Sequence, residues 1–485
     1  MSLQRGELAE KDLLLSRAYV AGAWVSGDAE PIAVFDPFTQ DQCGEVPRLG
    51  AADAQRAIDT AAEALPGWAG RPAQERARVL RRWFDLLQQH REDLARLITL
   101  ENGKTLAEAR GEVDYGAGFI EFYADEATRT LGEIIPAPVA GRRLMADREP
   151  VGVCAAITPW NFPLAMLTRK AGPALAVGCT MVAKPAAATP LTALAFARLG
   201  EEAGVPAGVL SVVTGSASAI GGAITSSATV RKLSFTGSTE IGEQLYRECA
   251  GTMKRLSLEL GGNAPLLIFD DADLDTAVAT AMVAKFRNSG QSCIAANRIY
   301  VQDGIRDRFL AAFAAQVGAM KAGDGFDGSS DIGPLIDREA VEKVAEHRDA
   351  ALAAGGRLMA GGHDLDGQMF QPTLVADVAP DAQLACEETF GPLAGVIGFA
   401  TAEDGLRMAN DTPFGLAAYL CASDPQLIAR VSRGLESGMV GINTGLISSA
   451  HAPFGGVKMS GIGREGSHHG IEEYLNIKYL CHSGL

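Results

Sequence analysis

The sequence lacks the features that mark membrane, secreted or nucleic-acid-binding proteins. Its most apolar stretches are interrupted by Lys, Arg, Pro or Gly well before they reach the length of a membrane-spanning helix. The first residues, MSLQRGELAEKDLLL, contain no basic end followed by an apolar core, so no secretory signal is predicted. The 59 acidic residues outnumber 43 basic ones, and the net charge of −16 comes without a Lys/Arg cluster for nucleic acid.

Paired cysteines and metal-ligand patterns are missing as well. The eight cysteines include no Cys-x-x-Cys pair, and the seven histidines have no metal-ligand spacing. The adjacent His468 and His469 are more typical of a surface turn than of a metal site. Without a secretion signal the cysteines are interpreted as reduced thiols, so we expect a cytoplasmic protein that holds no metal.

Short apolar runs alternate with helical stretches between about residues 150 and 270. The runs are apolar on both faces and bounded by Gly or Pro, which is typical of buried parallel strands. The predicted strands are 151–157, 180–183, 209–213, 232–235 and 266–269. Thr189 and Pro190 are predicted to begin a helix that ends at Gly204. Ser238 is predicted to cap the helix Thr239–Cys249, so strands and helices alternate as in a doubly wound α/β sheet.

Further helices are predicted on both sides of this region. They cover residues 53–64, 74–101, 274–288, 305–320 and 338–353. The segment 474–480 alternates apolar and polar residues, which predicts a terminal strand in need of a partner sheet. A chain of 485 residues exceeds one ordinary core, and it has no long linker, so we expect two or three interleaved domains.

Cys293 ends the peptide Phe-Arg-Asn-Ser-Gly-Gln-Ser-Cys, which follows a predicted helix. A cysteine placed just after a turn can attack a substrate. A free thiol has a pKa near ~8.5 and needs an electropositive setting to react as the thiolate at neutral pH. Taken alone, the residue is more typical of a small buried hydrophobe, so its neighbours in the fold must decide its role.

Glu259 and Asn161 supply two further groups. Glu259 lies between leucines and before a Gly-Gly turn, where partial burial would raise the pKa of its carboxyl towards the range of a general base. An ion pair with Lys254 or Arg255 is an equally favoured alternative. Asn161 follows the first strong strand, and its side-chain amide suits a developing oxyanion; the alternative is a helix cap before Pro163.

A fourth motif, Phe-Thr-Gly-Ser, places Gly237 at the end of a strand and Ser238 at the start of a helix. Backbone N–H groups at a helix start suit a pyrophosphate. The spacing does not match Gly-x-Gly-x-x-Gly, so the motif by itself is a weak sign of a dinucleotide.

These motifs together resemble the aldehyde dehydrogenase superfamily. The shared motifs, in order, are Thr-Pro-Trp-Asn-Phe-Pro (158–163), Lys-Pro (184–185), Phe-Thr-Gly-Ser (235–238), Glu-Leu-Gly-Gly-Asn-Ala-Pro (259–265), Gly-Gln-Ser-Cys (290–293), Glu-Glu-Thr-Phe-Gly-Pro (387–392) and Pro-Phe-Gly-Gly (453–456). The resemblance covers essentially the whole chain. It implies a Rossmann-like cofactor domain (1–126 and 144–257), an α/β catalytic domain (258–460) and a small β arm (127–143 and 461–485) that forms a homodimer or homotetramer.

The resemblance also implies roles for individual residues. Cys293 would be the nucleophile, Glu259 the base that activates water, and Asn161 with the backbone N–H of Cys293 the oxyanion hole. NAD or NADP would be bound by Trp160, Lys184, Gly237, Ser238, Glu388 and Phe390. Lys184 is expected at the adenosine ribose, Gly237 and Ser238 at the pyrophosphate, and Glu388 with Phe390 at the nicotinamide ribose and ring.

Arg169, Arg287 and Ser448 indicate the substrate class. Two guanidinium groups beside a nucleophile could hold a carboxylate, although a surface ion pair is the usual role of either arginine alone. Their surrounding sequence resembles succinate-semialdehyde dehydrogenases, in which these residues bind the substrate carboxylate. Glutarate semialdehyde stays open as the substrate, since one methylene is worth only ~1–3 kcal/mol.

Two positions depart from the pattern of some relatives. Ala295 stands where a second cysteine would allow a local disulfide, and Ala187 stands where NAD-preferring relatives often carry Glu. Without that carboxylate nothing repels a 2′-phosphate, so NADP should be accepted. The alternatives are a catalytically silent dinucleotide-binding protein and a coenzyme A-acylating dehydrogenase. The presence of nucleophile, base and oxyanion donor together argues against the silent protein, and Glu259 favours release by water over transfer to coenzyme A.

Overall fold

The computed structural model describes residues 5–484, which form fifteen α-helices and twenty strands. The helices are α1 Ala51–Ala69, α2 Ala73–Gln89, α3 Arg91–Asn102, α4 Leu106–Glu126, α5 Ala165–Val177, α6 Leu191–Ala203, α7 Ala217–Ser226, α8 Thr239–Cys249, α9 Leu274–Phe286, α10 Asp303–Ala319, α11 Arg338–Ala353, α12 Gln383–Cys386, α13 Ala402–Asn410, α14 Pro425–Gly434 and α15 Ser467–Glu472. None of the helices between residues 5 and 484 combines the length and apolar character that crossing a membrane requires.

The strands follow the same chain order. They are β1 Ala18–Val20, β2 Ala23–Val25, β3 Ile32–Phe35, β4 Gln42–Val46, β5 Glu133–Ile135, β6 Arg142–Pro150, β7 Val153–Ile157, β8 Thr180–Lys184, β9 Leu210–Val212, β10 Val230–Thr236, β11 Arg255–Glu259, β12 Ala264–Ile268, β13 Ala296–Gln302, β14 Arg357–Ala360, β15 Thr373–Ala376, β16 Leu393–Phe399, β17 Ala417–Cys421, β18 Met439–Ile442, β19 Gly461–Ile462 and β20 Leu475–Ser483.

An eight-stranded sheet carries the first half of the fold, in the order β19-β11-β10-β7-β8-β9-β1-β2. Its strands from β11 to β9 are parallel, which confirms the predicted doubly wound arrangement. The register pairs Ile157 with both Lys184 and Phe235, and Thr236 with Glu259. The carboxyl ends of four strands therefore meet at one edge, where open α/β sheets bind ligands.

A seven-stranded sheet, in the order β14-β15-β16-β13-β12-β17-β18, carries the second half. The apolar run 266–269 was predicted beside the strands of the first sheet, but it forms part of β12 in this second one. The chain leaves the first sheet at Glu259 and enters the second at Ala264. The segment 260–263 thus connects the two sheets directly.

Helix ends follow the predicted signals in two cases and depart from them in one. The Ser238 hydroxyl accepts a hydrogen bond from the backbone N–H of Ile241, and Gly204 ends α6 with a φ of 97°. The predicted cap at Thr189 is wrong. The buried carboxylate of Glu101 instead accepts hydrogen bonds from the first N–H groups of α6, those of Leu191 (2.7 Å) and Thr192 (2.9 Å).

A three-stranded sheet, β20-β6-β5, forms the arm. The predicted terminal strand is confirmed as β20, which pairs with β6 along nine residues from Leu475 to Ser483. The arm sheet does not coincide with the predicted segments, because β6 continues to Pro150 and β19 pairs with β11 in the eight-stranded sheet. The predicted boundary at 257/258 falls inside β11. The division into domains stays a prediction.

Candidate active site

A cavity of about 320 Å³ opens at the carboxyl edge of the eight-stranded sheet. Eight of the predicted site residues line it: Trp160, Asn161, Gly237, Ser238, Glu259, Cys293, Glu388 and Phe390. They come from the loop after β7, the start of α8, the end of β11, the turn before β13 and the loop before β16. The fold thus brings the sulfur, the carboxylate and the side-chain amide, which are far apart in sequence, to one cavity.

Cys293 is half-buried and follows a strained turn. Asn288 and Ser289 both have a φ of 55°, in the left-handed region that non-glycine residues rarely adopt, and Gly290 has a φ of 72°. Burial, together with the carboxylates of Glu388 and Glu259, raises the pKa of the Cys293 thiol to about 12 against the opposing effect of the nearby Arg169 and Arg287. The thiol therefore needs a base to leave its proton at neutral pH.

Glu259 is buried, and within residues 5–484 neither of its carboxyl oxygens has a hydrogen-bond partner. Burial and the nearby Glu465 raise the pKa of the Glu259 carboxyl well above its usual range. The alternative of an ion pair with Lys254 or Arg255 is wrong. The Lys254 ammonium donates to the Ser227 carbonyl and the Arg255 guanidinium to the carbonyl of Leu475. A buried, unpaired carboxyl with a raised pKa has the properties of a general base.

The Asn161 side chain donates one hydrogen bond, from Nδ2 to the carbonyl oxygen of Gln291 (3.1 Å). Nδ2 carries two hydrogens, so the second is available for another acceptor. The alternative role as a helix cap is wrong, because α5 begins only at Ala165 and receives no side-chain cap from Asn161. Its backbone carbonyl oxygen accepts from Lys104 Nζ (2.8 Å) and from Asn288 Nδ2 (3.0 Å).

The side of the cavity towards α8 has groups that fit a dinucleotide. A Cβ at Gly237 would lie 2.4 Å from the Phe235 ring, so the turn into α8 requires glycine. The first N–H groups of this helix suit a pyrophosphate, and the buried hydroxyl of Thr239 there has no hydrogen-bond partner among the described residues. The Trp160 and Phe390 rings pack in a T-shaped arrangement with a centroid distance of 5.5 Å.

Glu388 and Lys184 lie at different distances from this cavity. Glu388 lines it and accepts a hydrogen bond from the backbone N–H of Gly262 (3.1 Å), and burial raises the pKa of its carboxyl to about 7. Lys184 ends β8 at the same edge of the sheet but does not line the cavity. Its ammonium donates to the carbonyl oxygen of Pro185 (3.0 Å).

A second cavity, of about 260 Å³, contains two of the three predicted substrate residues. Arg287 and Ser448 line it together with Tyr115 and Phe162. Asn288 joins the two cavities: it lines the second, and its Nδ2 donates to the same Gln291 carbonyl oxygen as Asn161 Nδ2. Asn288 Nδ2 also donates to the backbone carbonyl oxygen of Asn161, so the walls of the two cavities are hydrogen-bonded to each other.

Arg169 is not among the residues that line the second cavity. Its guanidinium lies 3.1 Å from the Glu465 carboxylate and donates from Nη2 to the Tyr115 hydroxyl (3.1 Å). The Phe454 ring covers it at 4.1 Å. The structure thus places Arg169 one side chain behind the cavity wall, and its direct contact with a substrate stays a prediction.

Sequence comparison gives the family of this chain. A family model described as the aldehyde dehydrogenase family matches residues 24–480. The chain belongs to the aldehyde dehydrogenase family. This aldehyde dehydrogenase is 55% identical over 478 residues to the succinate-semialdehyde dehydrogenase [NADP(+)] of Escherichia coli, with 98% of this chain and 99% of that protein covered. It is 54% identical over 476 residues to a glutarate-semialdehyde dehydrogenase of Pseudomonas putida, with 98% and 99% covered.

Solved structures agree with this assignment. The crystal structure of an aldehyde dehydrogenase from Brucella melitensis biovar abortus 2308 superposes with a TM-score of 0.97 at 55% identity, covering 98% of this chain and 99% of that one. The comparisons confirm the predicted fold class, the predicted NAD(P)-dependent oxidoreductase activity and the use of NAD or NADP. The roles of the individual site residues stay predictions.

Sequence reasoning missed several buried charged residues of this aldehyde dehydrogenase. Lys104 and Glu112 form an ion pair of 2.5 Å, and Lys170 and Glu465 form another of 2.5 Å. All four side chains are buried, whereas charged residues within helical patterns are usually interpreted as exposed. No local sequence signal distinguishes them, because their partners lie on other elements.

Proposed function

We propose that this aldehyde dehydrogenase oxidises a short aldehyde that carries a carboxylate, with succinate semialdehyde as the first candidate. The observation that supports this substrate class is the position of Arg287. Its guanidinium lines the second cavity, and no carboxylate of residues 5–484 forms an ion pair with it. The guanidinium lies 5.1 Å from the centre of the Phe162 ring, and a cation that faces a cavity without an ion-paired carboxylate is suited to an anionic group of the substrate.

The proposed carboxylate site combines Arg287 with Ser448, and Arg169 contributes from behind the wall by donating to the hydroxyl of Tyr115, which lines the same cavity. The two relatives described above are named for succinate and glutarate semialdehyde, which are both aldehydes with a terminal carboxylate. Glutarate semialdehyde is therefore the second candidate. The exposed Ala187 carries no charge that would repel a 2′-phosphate, so we propose that NADP is accepted as well as NAD.

The proposed mechanism assigns one step to each catalytic group. The Cys293 sulfur attacks the carbonyl carbon of the aldehyde, and the thiol proton leaves to a base. Asn161 Nδ2 donates its second hydrogen to the oxyanion that forms, a contribution that is typically worth about 10²–10³ in rate. When bound, NAD or NADP supplies the two-electron acceptor for the oxidation. Glu259 then takes a proton from the water that hydrolyses the Cys293 thioester and releases the acid.

Two further proposals concern the whole protein. We propose a homodimer or homotetramer formed through the arm, because Ile477 and Tyr479 of β20 are 65% and 60% exposed on the edge strand of its sheet. We also propose that the protein acts in the cytoplasm, which agrees with cysteines that are all free in the described part of the chain.

The substrate proposal is tested with an Arg287→Ala variant. We expect KM for succinate semialdehyde to rise roughly 30- to 100-fold, since removing a charge-assisted bidentate contact costs about 2–3 kcal/mol. The KM for propanal, which has the same reacting group and no carboxylate, should stay within about twofold. Steady-state kinetics with both aldehydes decides, and equal effects on the two would reject the carboxylate site.

A further inference from the structure

A buried ion pair lies directly behind the predicted oxyanion residue. Lys104 and Glu112 have side-chain exposures of 0%, and their Nζ and Oε2 atoms are 2.5 Å apart. The same ammonium donates to the backbone carbonyl oxygen of Asn161 (2.8 Å) and lies 4.0 Å from the centre of the Phe162 ring. One cation therefore contacts two consecutive residues of the Trp-Asn-Phe motif.

The Glu112 carboxylate of this pair binds the backbone just after the Trp-Asn-Phe motif. Glu112 Oε1 accepts hydrogen bonds from the backbone N–H groups of Leu164 (2.9 Å) and Ala165 (3.3 Å), at the start of α5. Lys104 and Glu112 thus fix the backbone at Asn161 and three residues later. Both are anchored away from the motif, because Glu112 belongs to α4 and Lys104 lies just before that helix.

The Asn161 side chain itself has few contacts. Its Oδ1 atom has no hydrogen-bond partner among the described residues, and Nδ2 has only the Gln291 carbonyl oxygen. The direction of the free N–H therefore depends on where the backbone is held. Two donors, Lys104 Nζ and Asn288 Nδ2, hold the backbone carbonyl oxygen of Asn161.

Stability alone does not account for this arrangement. Removing two charges from water is unfavourable, and replacing a buried ion pair by apolar residues of similar volume is often neutral or stabilising. We propose that Lys104, held by Glu112, is a positioning residue that aims the Asn161 amide at the oxyanion. This inference rests on the proposed function of Asn161. A displacement of about 1 Å in such a group can cost roughly 100-fold in rate.

Lys104 also lines the second cavity, so direct binding of the substrate carboxylate is the competing role. Two of the three hydrogens of its ammonium are directed at Glu112 and Asn161. A neutral substrate separates the two roles. Hydrolysis of p-nitrophenyl acetate in the absence of a dinucleotide needs the Cys293 sulfur and an oxyanion site, but it offers no carboxylate for Lys104 to bind.

The first measurement is this hydrolysis in a Lys104→Met variant. We expect kcat to fall roughly 10- to 100-fold, because the amide loses its alignment while the sulfur remains. The KM for the ester should change less than about threefold. Lys232→Met is the matched control: Lys232 is also fully buried, and its ammonium contacts Ser257 and lies 3.6 Å from Glu473. It should lose thermal stability similarly and keep kcat within about threefold.

The second measurement is a double-mutant cycle with Asn161→Ala. If Lys104 acts through Asn161, then Lys104→Met should change kcat less than about twofold when Asn161 is already absent. If the fall in kcat of the double variant equals the product of the falls in the two single variants, the inference is overturned. A K104M enzyme with wild-type hydrolysis would also overturn it. An effect of K104M confined to KM for succinate semialdehyde would also overturn it. Unchanged hydrolysis in N161A would instead reject the oxyanion role in the proposed function.

If K104M does not fold, a Glu112→Gln variant tests the same positioning role. The glutamine oxygen can still accept from Leu164 and Ala165, whereas the charge that holds the Lys104 ammonium is lost. We expect a smaller fall in kcat for the ester, about 3- to 10-fold, with a melting temperature measured by circular dichroism within a few degrees of wild type. Wild-type kcat in E112Q would contradict the role of the ion pair.

Discussion

Cys293 lines the active-site cavity, but its raised thiol pKa keeps the sulfur protonated at neutral pH. Burial and, next in size, the negative charge of Glu388 raise the pKa of the thiol to about 12. In a Glu388→Gln variant the thiol pKa should fall. The thiolate fraction at pH 8 should then rise, because that pH lies below the pKa. We expect alkylation by iodoacetamide without dinucleotide to be roughly 3- to 10-fold faster.

Glu387→Gln is the matched control for this experiment. Glu387 is the preceding residue in the chain, its side chain is 57% exposed, and it is not among the carboxylates that raise the Cys293 pKa. Mass spectrometry of the Cys293 peptide gives the rates. Equal acceleration in both variants, or none in E388Q, would contradict the assigned cause of the raised pKa.

Single residues differ in how well the sequence predicts them. Cys293, Glu259 and Asn161 were predicted because each lies in a recognisable motif, and the structure brings them to one cavity. The paired state of Arg169 could not be predicted, since its partner Glu465 lies 296 positions along the chain. The same reason hid the contact of Lys104 with Asn161, which are 57 positions apart.

Helix α6 depends on a cap from outside its own sequence. The Glu101 carboxylate accepts from the N–H groups of Leu191 and Thr192, and its side chain is fully buried. Glu101→Ala leaves both N–H groups buried without that partner. We expect the free energy of unfolding to fall by about 1–3 kcal/mol for each N–H group left without a partner. Urea denaturation followed by tryptophan fluorescence measures the change.

Glu202→Ala, in the last turn of the same helix, is the control for this cap. Its side chain is 46% exposed and pairs with Arg198 at 3.6 Å, so its removal should cost less than about 0.5 kcal/mol. A Glu101 variant as stable as this control would show that the cap contributes nothing measurable.

Elements were predicted more reliably than their partners. The strands β7, β8, β9 and β10 lie within three residues of their predicted ends, and α11 matches its predicted range. The apolar run 266–269, which forms part of β12, has the same pattern as the strands of the first sheet. Such a run predicts a buried strand but carries no information on which sheet it joins. The division of 74–101 into α2 and α3 at His90 was likewise not visible in the periodicity.

At the scale of the whole molecule, the proposed contact between copies is the exposed face of the arm strand β20. Ile477 and Tyr479 lie on one face of β20, since side chains two apart share a face of a strand. We expect Ile477→Lys with Tyr479→Lys to lower the molar mass measured by light scattering, because burying two new charges at an interface is unfavourable. Lys478→Gln, on the opposite face of the same strand, should leave the mass unchanged. An unchanged mass in the double variant would reject the arm as the contact.

The short connection at 260–263 has a consequence for the molecule as a whole. Glu259 ends a strand of one sheet, Cys293 lies just before a strand of the other, and a Cβ at Gly262 would lie 2.4 Å from the Cys293 carbonyl oxygen. The proposed base and the proposed nucleophile therefore lie on two different sheets, which touch through bare backbone at Gly262. A shift of one sheet relative to the other would change the distance between these two groups, so under the proposed mechanism the rate of turnover should depend on how the two sheets are aligned.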